Sequence, residues 1–247
     1  MSCYRHKVIN TTKIPILKNV DVLLVLTMED NYRFNEDPFL INLAKKTIIQ
    51  YNKGFKKCKK PDSIISSCQD LVHANYTAFN YLKKYNNVII LEDDALIINN
   101  DIKVYNEIDT FIKDERFDVF SFGSIGIFSK YNNKFLKFIK TKTFTFGAAQ
   151  AIIYSRQARS ALIKKIIHNN FENGHMDNYY INSLDNIFTY KYPLIVQLFP
   201  ITENMKEWVF FNGFFPLCII IIIIKILKLD TRPYAWNYIY FLYRNIF

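Results

Sequence analysis

Apolar positions fall in short blocks along the chain, and the first block is residues 21–27, a β-branched and leucine-rich run bounded by charged residues. Its length and composition predict a buried strand. An acidic and polar loop, residues 29–37, comes next. Pro38 then stands where a first helical turn tolerates it, and Phe39, Leu40, Leu43, Ile48 and Ile49 recur at roughly helical spacing up to Tyr51, so a helix is expected there. A connection over residues 52–62 leads to a second amphipathic helix, about residues 68–85, with Leu71, Ala74, Ala78, Tyr81 and Leu82 along one side. The run that follows, residues 87–91, is the kind of continuous apolar strand found inside a mostly parallel sheet with both faces covered.

Further on, residues 102–112 read as a helix, 117–122 as a strand, and 144–154 as a turn entering another strand. Ser155 is placed to cap a helix reaching about Ile167, and residues 176–184 read as a short helix. Strands alternating with helices predict an α/β domain with a mostly parallel central sheet over residues 1–205. No internal repeat is evident.

The texture changes after Glu207. Residues 208–224 carry no charge and end in six consecutive isoleucines. Extended to Leu227, with Lys225 snorkelling, the segment would reach roughly 30 Å as a helix, about one hydrocarbon thickness. Two readings stand, a membrane span over about 208–227 and a buried core element, and Gly213 and Pro216 weigh against the helix. The aromatic tail, residues 234–247, would suit a membrane interface. The expectation is a membrane-associated, single-pass protein. Its orientation is open, because the lack of an apolar h-region near the N-terminus favours a tail anchor whereas Lys225, Lys228 and Arg232 point weakly to a lumenal domain.

Composition changes this picture little. A chain of 247 residues that is 50% apolar can build a core. The formal charge of +10 would suit any polyanion, but the lysine pairs are dispersed, as on solvated helix faces, so nucleic acid is not an expected partner. Cys3, Cys58, Cys68 and Cys218 show neither a CxxC pair nor zinc spacing, which suggests no disulfide framework and a reducing compartment. Asn10 and Asn75 each begin a glycosylation sequon that would report lumenal exposure.

The candidate chemistry sits at Glu92, Asp93 and Asp94, where the apolar run stops. Alternation along a strand puts Glu92 and Asp94 on one side and Asp93 on the other. Carboxylates at the edge of a core are costly unless satisfied, and a hard divalent cation is one way to satisfy them. The carboxyl end of a strand in an α/β sheet is also where ligands usually bind. The plain alternative is an acidic turn that caps the strand end.

Residues 68–95 resemble the central part of glycosyltransferase family 25, in which a helix with a Ser-His pair precedes an apolar strand ending in Leu-Glu-Asp-Asp. Here His73 matches the histidine, Val72 replaces the serine, and Leu91 to Asp94 match the acidic motif. Residues 146–156, followed by Ala158 and Leu162, are similar to the family's Gly-Thr-x-x-Tyr-x-x-Ser-Arg stretch, with Ala148 where threonine is usual. Met176-Asp177 is like its later apolar-Asp pair.

The resemblance implies a GT-A-type nucleotide-sugar fold, a bound Mn²⁺ or Mg²⁺, and inverting transfer of a hexose, commonly from a UDP-sugar, to a hydroxyl of a protein or glycan acceptor. It makes Asp94 the direct metal ligand and Glu92 a support for metal or ribose, with Asp93 on the ribose or sugar. Asp177 becomes the base for the acceptor hydroxyl, or else merely a first-turn carboxylate of its helix. His175 would complete the metal shell or touch the diphosphate, unless it is a surface residue. Arg33 would pair with a donor phosphate, unless it is solvated. His73 reads as a packing residue more than a catalyst. The rival readings are a two-metal nuclease or phosphatase, and a non-catalytic membrane-associated protein with a degenerate transferase-like domain.

Overall fold

The computed structural model describes residues 2–9, 14–34, 36–123, 126–127, 138–141, 145–146, 151–172, 175–190 and 194–197. The strands are β1 (Tyr4–Ile9), β2 (Val22–Met28), β3 (Thr47–Asn52), β4 (Val88–Glu92), β5 (Ala95–Ile97), β6 (Val119–Ser121), β7 (Gly126–Ile127), β8 (Phe138–Thr141), β9 (Thr145–Phe146), β10 (Ala151–Tyr154), β11 (Ile187–Tyr190) and β12 (Ile195–Gln197). The helices are α1 (Pro38–Ile41), α2 (Ser67–Tyr81), α3 (Ile102–Asp114), α4 (Arg156–His168) and α5 (Met176–Ser183). Eight strands form the main sheet in the order β1-β3-β2-β4-β10-β6-β11-β8, and β12-β5 and β7-β9 form two small ribbons.

Strand alternation divides the core into two layers. Val22, Leu24 and Leu26 of β2 and Val88 and Ile90 of β4 pack with buried side chains of α2, α4 and α5. Leu23, Val25, Ile89 and Leu91 face the other way and pack with Leu40 of α1 and Tyr105, Ile108 and Ile112 of α3. Both faces are therefore covered, which is why β2 and β4 read as continuous apolar runs.

The sheet is mixed, which corrects the expectation of a mostly parallel one. The pairs β2-β3, β2-β4 and β6-β11 are parallel, whereas β1-β3, β4-β10, β6-β10 and β8-β11 are antiparallel. A strand buried on both faces has the same apolar sequence in either pairing, so composition carries no direction. The expected helix up to Tyr51 is also corrected. It ends after one turn at Ile41, and Thr47–Asn52 is strand β3, with Ile48 and Ile49 on opposite faces of the sheet. Short apolar runs fit both periods, and here burial on both faces decided. The buried Gln50 is satisfied because its Nε2 donates to Ala74 O at 2.9 Å.

The structure joins Cys3 to Cys58 in a disulfide with a Cα–Cα distance of 5.6 Å, overturning the reading of the cysteines as unpaired. Spacing could not reveal it, because it depends on β1 lying beside the connection that leaves β3. The expectation of a reducing compartment loses its basis. Asn75 is 2% exposed and its Nδ2 donates to Leu71 O within α2, so in the folded chain it cannot accept a glycan. Asn10 and the segment 206–247, including the proposed span 208–227, lie outside the described residues. Among the described residues no helix is long and apolar enough to cross a membrane.

The chain leaving α2 is clamped from α4. Arg159, only 2% exposed, donates from Nη1 to Asn86 O and Tyr154 O at 3.0 and 2.9 Å, and from Nη2 to Tyr85 O at 2.6 Å. Arg156 adds bonds to Tyr85 O and Lys84 O at 3.1 and 2.6 Å, and Ser155 caps α4 through Ala158 N–H at 3.1 Å. The Tyr-Ser-Arg part of the second matched block thus fastens the turn that launches β4. Replacing Arg159 by Met would take the arginine donor from Asn86 O and Tyr154 O and leave Tyr85 O to Arg156 alone, and a loss of about 3 kcal/mol in urea-melt stability is expected.

Candidate functional site

The acidic triplet lies at the carboxyl end of β4, where Glu92 is the last strand residue, paired with Leu26 of β2, and Asp93 and Asp94 make the turn into β5. The chain turns directly after Glu92, so Asp93 and Asp94 lie beyond the strand whose alternation was expected to divide them. Asp93, 7% exposed, turns towards the end of β2, where its Oδ2 accepts from Thr27 Oγ1 at 2.6 Å and its Oδ1 from Arg33 Nη2 at 3.0 Å. Asp94 is 4% exposed. Glu92 follows Ile90 on the side of α2, α4 and α5, and there it comes under the field of Asp177.

Burial pushes the Glu92 carboxyl well above its usual range, and the charges of Asp94, Asp177 and Asp93 add to the rise while Arg33 opposes it. Asp177 stands in the first turn of α5, a position that ordinarily favours a carboxylate. Burial nevertheless pushes it up to about 6. Its Oδ1 is enclosed and accepts no hydrogen bond from the described residues. Tyr154 at the end of β10 and Tyr180 on α5 are buried nearby, and the charges of Asp177 and Glu92 help hold both phenols neutral. Residues of β4 and α5 thus lie within electrostatic reach of one another beside two buried tyrosines.

The other predicted site residues are placed as follows. Arg33, with a side chain 29% exposed, donates from Nη2 to Asp93 and so orients that carboxylate. His175 is exposed at the N-cap of α5 and makes no side-chain capping bond. His73 lies on α2, its Nδ1 2.7 Å from the Tyr4 hydroxyl. Among the described residues no three His, Cys, Asp or Glu side chains converge closely enough to form a metal cage. Sequence reasoning missed Thr27, Tyr154 and Tyr180; Thr27 ends the first predicted strand and Tyr154 lies inside the second matched block, which were the available signals. A cavity of about 440 Å³ opens between α3 and β8, lined by Glu107, Phe111, Asp114 and Phe138 among others, and none of the site carboxylates reaches it.

No family model and no curated protein matches the chain. Among solved structures it is similar to A197 from STIV, with 14% identity over 69% of this chain and 81% of that one and a TM-score of 0.43. A likeness of that degree establishes neither family nor activity. The resemblance to glycosyltransferase family 25 rests on its three sequence blocks.

Proposed function

We propose that the chain is a glycosyltransferase that moves a hexose from a nucleotide-sugar, a UDP-sugar by the family resemblance, to a hydroxyl of a protein or glycan, with inversion. The observation that carries this reading is the Glu92-Asp93-Asp94 turn at the carboxyl end of a central strand, where α/β sheets usually take their ligands, with Glu92 within electrostatic reach of Asp177. Asp177 has the properties of a general base. Its Oδ1 is enclosed without a donor among the described residues, and its pKa of about 6 leaves it ionised near neutrality yet basic enough to take a proton. In this role Oδ1 accepts the proton of the acceptor hydroxyl as that oxygen attacks the anomeric carbon. Asp93, held by Thr27 and Arg33, is oriented for a hydroxyl of the donor.

The crowding of Glu92 by three other carboxylates fits a bound cation, and a metal carried on a nucleotide needs only one or two protein carboxylates, its phosphates supplying further oxygens. Glu92 and Asp94 are the residues that would hold Mn²⁺ or Mg²⁺. The ion would stabilise the negative charge that gathers on the departing diphosphate. The test is release of free nucleotide from a panel of UDP- and GDP-sugars by the full chain, with Mn²⁺ and with EDTA. Turnover that disappears with EDTA and falls at least about 100-fold in Asp94→Ala is expected. Folded protein that neither turns over nor binds any nucleotide-sugar would sink the proposal.

A further inference from the structure

Two consecutive non-glycine residues after α4, Asn170 and Phe171, have left-handed backbones, with φ of 46° and 64°. The first is explained locally. Phe171 N–H donates to Ile166 O at 3.2 Å and Asn170 N–H to Ile167 O at 3.0 Å, a Schellman ending whose left-handed position Asn170 fills. Nothing in that motif asks the same of Phe171. A bulky aromatic residue in this region is strained and persists only where its surroundings over-determine it.

Those surroundings lie on α2. The buried Phe171 ring meets His73 and Tyr76 edge-on, with centroids 5.3 and 5.5 Å away. His73 is held in turn by Tyr4 of β1 through the hydroxyl contact, with their rings 5.6 Å apart. Burial, then the charge of Lys60, lowers His73 to about 4, so it is a neutral ring that packs rather than a charge that needs solvent. The connection anchored by Phe171 leads directly into α5, whose first turn carries Asp177. Met176, Tyr179 and Tyr180 settle which face of α5 is buried.

We propose that Tyr4, His73 and Phe171 form a ring cluster that docks the turn after α4 on α2 and so positions α5, whose first turn carries Asp177. His73 and Phe171 are then positioning residues for the transfer reaction, an assignment that rests on the function proposed above. The histidine matched to the family motif thereby acquires a job at a distance from the acidic turn.

Hydrogen exchange followed by mass spectrometry on the full chain tests the cluster without relying on activity. In Phe171→Ala and His73→Ala, exchange across α5 is expected to quicken about tenfold or more, while Val88–Glu92 and Ile102–Asp114 stay at wild-type rates. His73→Phe, which keeps a ring against Phe171, is expected to restore protection. Wild-type exchange of α5 in both alanine variants would overturn the proposal, as would loosening of α5 only together with the whole sheet. Where the wild type turns over, both alanine variants are expected to lose kcat at unchanged KM for the donor, and a change confined to KM counts against the cluster. A chain with no turnover on any donor sinks the transferase reading, while exchange in α5 still decides this one.

Discussion

Asp177→Asn is expected to abolish most transfer, lowering kcat on the order of 10²–10⁴-fold while leaving donor affinity nearly unchanged, because it removes a proton acceptor and little bulk. Wild-type kcat/KM is expected to fall as pH drops below about 6, where Asp177 becomes protonated and can no longer act as base. The same substitution is expected to stabilise the fold. Burial raises the folded-state pKa from 3.8 to about 6, so the folded chain binds the proton more tightly than the unfolded chain. Between those values stability decreases as pH rises, below them the penalty is absent, and above about 6 it is fully present. At pH 7 the asparagine variant should gain roughly 1–3 kcal/mol in urea melts. A variant that is more stable and inactive identifies a residue kept for chemistry. Had Asp177 served only to complement the α5 dipole, its removal would lower stability instead.

Asp70→Ala is expected to give the largest loss of stability among these substitutions, about 3–5 kcal/mol. Asp70 lies in the first turn of α2 and forms an ion pair with Lys60, whose side chain is 1% exposed. Asn52 completes the arrangement, with Nδ2 donating to Asp70 Oδ2 at 3.0 Å and Oδ1 accepting from Lys60 Nζ at 2.7 Å, and the ammonium lies 4.6 Å from the centre of the Tyr4 ring. Removing the carboxylate alone strands an ammonium that burial already disfavours. Replacing both partners by apolar residues, Lys60→Met with Asp70→Leu, removes the buried charge altogether and should recover most of the loss. Urea midpoints of the single and double variants check this. If the double variant is no more stable than Asp70→Ala, packing and not charge is what matters there. Lys60 follows Cys58 on the connection pinned to β1, so this network and the disulfide fasten the same segment.

Much of the fold could be read directly. The runs that became β2 and β4, the cap at Ser155 and most of the pattern of α2 follow from local rules of periodicity and capping, although Tyr81, expected on the apolar side of α2, is 44% exposed. The acidic triplet could be read too, because carboxylates that end an apolar strand are conspicuous. Strand β3 could not, because Ile48 and Ile49 satisfy helical spacing until the neighbours β1 and β2 are known.

The sequence by itself determined the runs that became β2 and β4, about where the helix bearing His73 begins, and that a cluster of carboxylates ends one strand, since these depend on neighbours within a few positions along the chain. Only the tertiary structure decided strand direction, the Cys3–Cys58 pair, the Lys60–Asp70 ion pair and the approach of Asp177 to Glu92. All but the Lys60–Asp70 pair join residues far apart in sequence, and the free energy that selects them comes from burial and desolvation that exist only after the sheet and its two helical layers have closed.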